Sequence, residues 1–317
     1  MSGKFVIGSR GSELALWQAD FVKDRLQSLF LDSQLEIKII RTTGDEALDR
    51  PLSKIGDKGL FTRQIEAELI GGRIDLAVHS LKDLQTEQPD GLTIGAVCER
   101  EISNDVLISK SGGSIDDLPR ASTVATGSLR RRSQLLNYRP DLRIAEMRGN
   151  VPTRFQKLGE SDVDAMILAY AGVKRLGLDK HISQIIPFDI MLPAVGQGAV
   201  AVEIREGDER TAEIVQHLDH PATRICITAE RAFLRTLEGG CQVPIGAHAT
   251  LDGDVVSLEG MVGSLDGTMI FRERISGKLD DAETLGLELA NTLIKRGARE
   301  LLDATREQVS ASTNVAM

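Results

Sequence analysis

A cysteine in a glycine-flanked loop is the residue whose surroundings best suit covalent chemistry. Cys241 follows two consecutive glycines and precedes Pro244, a composition typical of a loop rather than of a core element. A thiol in such a loop is accessible enough to act as a nucleophile. The other two cysteines, Cys98 and Cys226, lie in strand and helix patterns, and we expect them to pack in cores.

Arginines at the start of a helix are the second unusual feature. Ser128 is a good N-cap, which places Arg130, Arg131 and Arg132 in the first helical turn. Cations at this end oppose the helix dipole, which favours anions. The pattern predicts a bound carboxylate or phosphate, and a basic helix end with nearby acidic partners stays open as the alternative.

A second basic group follows a strand, at the position where α/β proteins usually bind ligands. It comprises Arg148, the adjacent Gly149, and Arg154. Residues 120–154 contain eight arginines and two acidic residues, a net charge of +6 in a chain of net charge −9, so the remainder carries −15. This uneven distribution predicts a specific anionic ligand and argues against general nucleic-acid binding.

Other cations lie in the first 60 residues. Arg10 and Ser12 occupy the turn between the first strand and the first helix. Lys54 and Lys58 flank a glycine-containing loop, which suits a mobile flap or an ordinary connector equally well.

A single carboxylate also occupies a position suited to catalysis. Asp83 lies just after an apolar strand and next to Lys82. A carboxylate at a strand end can accept hydrogen bonds, stabilise a developing cation and move protons. A helix cap or turn residue is the alternative interpretation.

The elements that must position these residues alternate between strand and helix patterns, which predicts an α/β fold with mostly parallel sheets. The predicted strands are 5–8, 35–41, 74–79, 92–97, 106–109, 123–126, 142–147, 165–169 and 199–204. The predicted helices are 13–29, 62–70, 129–137, 153–158, 224–237 and 282–302, with a frayed tail after residue 304. Asp252-Gly253 and Asp266-Gly267 predict the turns of a late antiparallel sheet.

This order predicts three domains. The first α/β domain covers 1–98 with 199–217 and carries Asp83; the second covers 104–193 and carries the arginines. We expect a cleft between them and a crossover at 193–198. A smaller α+β domain at 220–317 carries the Cys241 loop.

Composition excludes several classes of protein. No run approaches the roughly 20 apolar residues of a membrane span, and the first residues show no secretory pattern, so we expect a cytoplasmic protein. The three cysteines and five histidines are scattered, which argues against disulfides and against a metal site. No extended apolar stripe demands a partner chain, and we expect a monomer.

Seven blocks of sequence, in order along nearly the whole chain, resemble the porphobilinogen deaminase (hydroxymethylbilane synthase) family. They are Ser-Arg-Gly-Ser-Glu-Leu-Ala-Leu-Trp-Gln-Ala at 9–19, Lys-Gly-Leu-Phe at 58–61, Ala-Val-His-Ser-Leu-Lys-Asp at 77–83, Gly-Ser-Leu-Arg-Arg at 127–131, Met-Arg-Gly-Asn-Val at 147–151, Leu-Pro-Ala-Val-Gly-Gln-Gly at 192–198, and Leu-Glu-Gly-Gly-Cys-Gln-Val-Pro-Ile-Gly at 237–246. Together they are far more specific than any one block.

The resemblance implies a transferase that deaminates four porphobilinogen molecules and joins them head to tail for tetrapyrrole and heme synthesis, releasing hydroxymethylbilane and ammonia. It implies two periplasmic-binding-protein-like α/β domains, a smaller third domain, and a covalent dipyrromethane cofactor on Cys241. Asp83 would be the catalytic carboxylate. The implied cofactor-binding residues besides Cys241 are Lys82, Ser128, Arg130, Arg131 and Arg154. The implied substrate-binding residues are Arg10, Ser12, Gln18, Arg148, Gly149, Gln197, Lys54, Lys58 and Phe61.

Three positions depart from the usual family pattern. Gly127 replaces a frequent serine and removes one hydroxyl, Gln85 stands where a proline is frequent, and Asp57 adds a charge to the predicted flap. None of the three changes Asp83 or Cys241.

Two other classes of function stay open from the residues alone. A two-lobed anion-binding protein or regulator domain would share the α/β architecture, but it gives no reason for the Cys241 loop. A cysteine-dependent acyltransferase would need a histidine base, and no histidine is adjacent to Cys241 in the sequence.

Overall fold

The computed structural model describes residues 3–46, 59–238 and 243–314. The described residues fall into two compact units. The first comprises 3–46, 59–101 and 198–224, and the second comprises 102–197, 225–238 and 243–314. The chain thus returns to the first unit at residue 198, next to the predicted crossover. The second unit contains both the arginine-rich region and the C-terminal sheet, and the predicted three-domain boundaries stay a prediction.

The described residues form thirteen strands and ten α-helices. The strands are β1 Lys4–Ser9, β2 Gln34–Ile39, β3 Leu76–Ser80, β4 Leu92–Val97, β5 Asp105–Ser109, β6 Thr123–Ala125, β7 Arg143–Ala145, β8 Ala165–Ala169, β9 Gln184–Ile185, β10 Val200–Arg205, β11 Ile245–Asp252, β12 Val255–Gly263 and β13 Ile270–Lys278. The helices are α1 Glu13–Leu29, α2 Thr43–Glu46, α3 Arg63–Ile70, α4 Leu129–Tyr138, α5 Val151–Glu160, α6 Tyr170–Arg175, α7 Glu209–Val215, α8 Pro221–Thr236, α9 Ala282–Lys295 and α10 Ala298–Asn314.

The first unit is built on a five-stranded sheet in the order β2-β1-β3-β10-β4. Successive side chains of β3 point to opposite faces, as the pleat requires. Leu76 and Val78 pack in the cluster that contains the apolar face of α1, whereas Ala77 packs in the cluster that contains Ile65 and Leu69 of α3. The two helices, α1 and α3, therefore cover opposite faces of one sheet. This packing positions the N-terminus of each helix relative to the ends of β1 and β3.

The second unit contains two sheets. Five strands pair in the order β7-β6-β8-β5-β9, and β11, β12 and β13 form an antiparallel three-stranded sheet. The predicted turn between β11 and β12 is confirmed, with Gly253 in the left-handed conformation at φ 55°. Two α/β sheets and a smaller antiparallel sheet with helices confirm the predicted fold class.

The prediction of mostly parallel sheets is wrong, because each five-stranded sheet is mixed. In the first unit β10 pairs antiparallel with both β3 and β4. In the second unit β5 pairs antiparallel with both β8 and β9. Strand–helix alternation predicts only the direction of strands that follow one another, and β10 enters its sheet from about a hundred residues further along the chain.

The C-terminal helix prediction also needs correction. The predicted single helix at 282–302 is two helices, which separate at Gly297 with φ 104°. The predicted frayed tail after residue 304 is helical through Asn314. Among the described helices, none combines the length and the apolar character needed to cross a lipid bilayer.

Two helical glycines provide a test of the packing. A Cβ on Gly286 of α9 would lie 2.4 Å from the carbonyl oxygen of Ala229 on α8, whereas a Cβ on Gly159 of α5 would meet nothing within 4 Å. We expect Gly286→Ala to lower the free energy of unfolding by about 1–3 kcal/mol through overpacking. Gly159→Ala should leave it unchanged or raise it by about 0.4–1 kcal/mol. Denaturant unfolding measures the free energy of unfolding of both variants. Equal changes in the two variants would contradict the close contact between α8 and α9.

Candidate functional site

The first unit has a pocket at the carboxyl ends of β1 and β3. Its walls include five residues that the sequence predicted for the site: Arg10, Ser12, Gln18, Phe61 and Asp83. Arg10 and Ser12 follow β1, and Asp83 ends a short 3-10 turn, Leu81–Asp83, that follows β3. Parallel pairing of β1 and β3 brings these two turns to the same edge of the sheet.

Arg10 is held by partners on both sides of its guanidinium. Its Nε donates to Asp45 at 3.1 Å, and its guanidinium carbon lies 4.1 Å from the centre of the Phe61 ring. Burial raises the pKa of Asp45, but the charge of Arg10 and the hydrogen bonds from Arg10 and Thr42 lower it more. The pKa of Asp45 therefore lies below its ordinary value. Sequence reasoning missed Asp45, which lies 35 residues away from Arg10.

Polar side chains of α1 and β3 complete the pocket wall. The Ser12 hydroxyl caps α1 by accepting a hydrogen bond from the backbone N–H of Ala15. Gln18 is buried and exchanges hydrogen bonds with the Ser80 hydroxyl at 2.9 and 3.1 Å. Asp83 and Lys82 are half-buried. A carboxylate and a guanidinium therefore share one pocket with neutral hydrogen-bonding groups.

The second unit buries the arginine pair at the start of α4. Ser128 is the N-cap, as predicted, and its hydroxyl accepts from the backbone N–H of Arg131. Nη1 of Arg130 donates to Asp105 at 2.7 Å, and Nη2 of Arg131 donates to the other oxygen of the same carboxylate at 2.7 Å. Both arginines are about 95% buried, and Asp105 is fully buried.

The two arginines and Asp105 form further hydrogen bonds with backbone carbonyls and with a glutamine side chain. Nη1 of Arg130 also donates to the carbonyl of Leu192, and Nη1 of Arg131 donates to the carbonyl of Ile167. Nε2 of Gln197 donates to Asp105 at 2.9 Å. Burial raises the pKa of Asp105, but the two guanidiniums outweigh this effect and hold its pKa well below the ordinary range.

Asp105 is thus the anion that compensates the arginines at the N-terminus of α4. The sequence predicted an external carboxylate or phosphate there, and the structure supplies a carboxylate of the chain itself. Asp105 is the first residue of β5, 25 residues before Arg130. One feature of the sequence could have indicated Asp105 as this partner: it is an acidic residue at the first position of an otherwise apolar strand.

Arg154 lies in a different electrostatic environment. Its Nε donates to the carbonyl of Gly149 at 2.8 Å, and within the described part of the chain it forms no ion pair. Burial, together with the positive charges of Arg131 and Arg148, lowers the pKa of Arg154 to about 10. A nearby anion would relieve this repulsion and raise that pKa. The second unit therefore retains a cation suited to an anionic ligand.

Arg148 and Gly149 lie beside Arg154. Nε of Arg148 lies 3.6 Å from a carboxylate oxygen of Glu146. Gly149 has φ 117°, and a Cβ there would lie 2.7 Å from the side chain of Thr153. Only glycine fits this turn without strain, so the chain can bring the Gly149 carbonyl to Arg154.

Three predicted residues lie outside the described part of the chain: Cys241, Lys54 and Lys58. So does Asp57. The prediction that Cys98 and Cys226 pack in cores is confirmed, since both are buried in hydrophobic clusters. The roles assigned to all of the site residues stay predictions.

The Asp105 network yields a stability prediction. Asp105→Asn would leave two buried guanidiniums without their anion, and losing one partner of a buried pair typically costs about 3–5 kcal/mol of unfolding free energy. Asp141→Asn is the matched control, because Asp141 also binds an arginine, Arg139, through both oxygens, but at a partly exposed site. Denaturant unfolding should show a much smaller loss for the control. Similar losses would contradict the central role of Asp105.

Comparisons with known proteins identify the family of this chain. The family model described as "Porphobilinogen deaminase, dipyromethane cofactor binding domain" matches residues 5–213, and the model of the family's C-terminal domain matches residues 224–295. The porphobilinogen deaminase of Pelotomaculum thermopropionicum is 51% identical over 97% of this chain and 99% of its own length. That of Chlorobium phaeobacteroides is 52% identical with the same coverage. The solved structure of the methionine-binding protein MetQ matches with a TM-score of 0.42 at 14% identity, over 68% of this chain and 88% of that chain. The family models and the relatives cover nearly the whole sequence, and the chain belongs to the porphobilinogen deaminase family.

Proposed function

We propose that this chain deaminates porphobilinogen and joins four molecules head to tail, releasing ammonia and hydroxymethylbilane. It is then a transferase that forms carbon–carbon bonds between pyrroles. The observation that carries the proposal is the pocket of the first unit, which holds the Asp83 carboxylate, the Arg10 guanidinium and the Gln18 amide together. These groups match a substrate with carboxylates, a ring N–H and a cationic intermediate.

Asp83 supports the loss of ammonia. When the carbon–nitrogen bond of the aminomethyl group breaks, the electron pair leaves with nitrogen and a methylene-pyrrole cation remains. A carboxylate that accepts a hydrogen bond from the ring N–H stabilises this positive charge as it develops. Asp83 is half-buried, so its charge is less screened than that of a fully exposed side chain.

Arg10 orients the substrate. Its pairing with Asp45 and its position over Phe61 fix the guanidinium, and its side chain is 22% exposed. A substrate carboxylate reaching the pocket would share this guanidinium with Asp45 in a forked arrangement. Gln18 and Ser12 add neutral donors for the remaining carboxylate oxygens.

The residues of the second unit fit a dipyrromethane cofactor. Arg154 is a half-buried cation close to Arg131 and Arg148, and such a site favours an anion that carries several carboxylates. Cys241 would bind the group as a thioether, and its carboxylates would be held by Lys82, Ser128, Arg130, Arg131 and Arg154. When bound, the dipyrromethane supplies the free ring carbon on which the first new bond forms. Arg148, Gly149, Gln197, Lys54 and Lys58 are proposed substrate contacts.

We further propose that the protein acts as a cytoplasmic monomer. Cys98 and Cys226 pack in hydrophobic cores, and the scattered cysteines of the sequence do not suggest a disulfide framework, which suits a reducing compartment. No role for nucleic acid, membrane or metal enters the proposed reaction.

The mass of the intact, denatured protein tests the cofactor. We expect it to exceed the sequence mass by two porphobilinogens less two ammonias, and we expect Cys241→Ala to lack this addition. Cys226→Ala is the matched control and should retain it, because Cys226 is buried. A wild-type mass that stays unmodified after incubation with porphobilinogen would favour a binding protein without catalysis.

Turnover of porphobilinogen tests Asp83. Asp83→Asn should slow turnover about 100-fold or more while leaving folding and cofactor loading largely intact, since the amide cannot stabilise the cation in the same way. Asp90→Asn, at an exposed position, should be unaffected. Near-normal turnover of the loaded Asp83→Asn protein would overturn the assignment.

A further inference from the structure

Three titratable side chains are buried at or near the pocket of the first unit. His79 on β3 is 5% exposed, and Glu203 on β10 and Glu66 on α3 are 0% and 6% exposed. His79 pairs in register with Ala201, so Glu203 lies two residues further along β10 on the same face of the sheet. Nε2 of His79 and Oε2 of Glu203 are 3.2 Å apart.

Glu66 lies on α3, the helix that packs against the same face of β3 as His79. Burial raises the pKa of Glu66 and the charge of Glu203 raises it further, while Thr62, His79 and Arg63 act in the opposite direction. Glu66 therefore keeps its proton to higher pH than an ordinary glutamate. A neutral Glu66 reduces the repulsion that an ionised Glu203 would otherwise meet.

A purely structural role would not require these residue types. Burying ionisable groups costs several kcal/mol unless they are paired, and apolar residues at these positions would avoid that cost. Clusters of buried titratable groups beside a pocket are typical of sites that transfer protons. His79 itself lines the pocket, together with Ser80 and Asp83.

The pair also bears on the tautomer of His79. A carboxylate form of Glu203 can only accept a hydrogen bond, which would place the proton on Nε2 and leave the lone pair on Nδ1. A carboxylate bound to one nitrogen orients the ring and makes the other nitrogen a better base.

We propose that His79, positioned by Glu203, is the base that removes the proton displaced each time two pyrroles are joined. This inference rests on the proposed function and adds a second catalytic residue to Asp83. Asp83 stabilises the methylene cation, and Nδ1 of His79 takes the proton. The two tasks are thereby divided between two side chains of one pocket.

The step is balanced without any further reactant. As the new carbon–carbon bond forms, the ring carbon that attacks still holds its hydrogen and the ring is positively charged. That carbon–hydrogen bond breaks, its electron pair restores the aromatic ring, and the proton moves to Nδ1 of His79. The proton then leaves with the ammonia of the same addition as ammonium.

The tautomer of His79 in the loaded wild-type protein is the first test, and it does not depend on activity. In a spectrum of the ¹⁵N-histidine-labelled protein, His79 is identified by the signals that His79→Gln removes. We expect a pyridine-type signal for Nδ1 and a pyrrole-type signal for Nε2 near neutral pH. A proton on Nδ1 would overturn the proposal.

The second test measures the isotope effect of porphobilinogen deuterated at its free ring carbon. His79→Gln should reduce turnover about 100-fold or more, because a general base typically contributes about 10²–10⁴-fold. The ratio of turnover with hydrogen to turnover with deuterium should also rise above the wild-type ratio, since proton removal has become slow. A packing defect alone would not raise this ratio.

His220→Gln is the matched control, because His220 is a half-buried histidine of the same unit that hydrogen-bonds Thr223 and does not line the pocket. Its turnover and isotope ratio should match the wild type. If His79→Gln fails to fold or to load, Glu203→Gln replaces it and should show the same rise in isotope ratio with a smaller loss of turnover. If the ratio of turnover with hydrogen to turnover with deuterium is unchanged in the loaded variant, the role of His79 is overturned. A wild-type protein without turnover or without covalent cofactor would instead overturn the proposed function.

Discussion

The buried carboxylate of Asp105 is the interaction on which the second unit depends. One side chain at the start of β5 binds Arg130, Arg131 and Gln197, and the same arginines bind backbone carbonyls of the chain. Without this anion, the start of α4 would place two guanidiniums against a helix dipole of the same sign in an environment poor in water. The network also leaves Arg154 as the neighbouring cation whose charge is not neutralised within the described residues.

The first unit handles its principal cation differently. Arg10 pairs with Asp45 at a partly exposed site, where water screens the ion pair and its contribution to stability is small. The Arg10 pair is therefore more accessible to water than the pairs that Arg130 and Arg131 form with Asp105, which are buried. The two units therefore hold these arginines by ion pairs that differ in burial.

Local features of the sequence predicted local structure well. Ser128 as an N-cap, the bounds of α1 and the turn at Gly253 all depend on residues close in sequence, and the structure confirms them. The partners of the charged residues were missed because they are distant: Asp105 is 25 residues from Arg130, and Glu203 is 124 residues from His79. The direction of β10 was missed for the same reason, and the roles of Asp83 and Cys241 stay predictions.

The position of β10 has a consequence for biosynthesis. The strand lies between β3 and β4, yet residues 102–197 separate it from both in the chain. The ribosome synthesises β1 to β4 well before it synthesises β10. Until β10 is made, the edges of β3 and β4 that will pair with it have no partner strand. During this interval the exposed strand edges need protection from other chains. Glu203 arrives on the same late strand, so the buried group around His79 is completed only when the sheet closes.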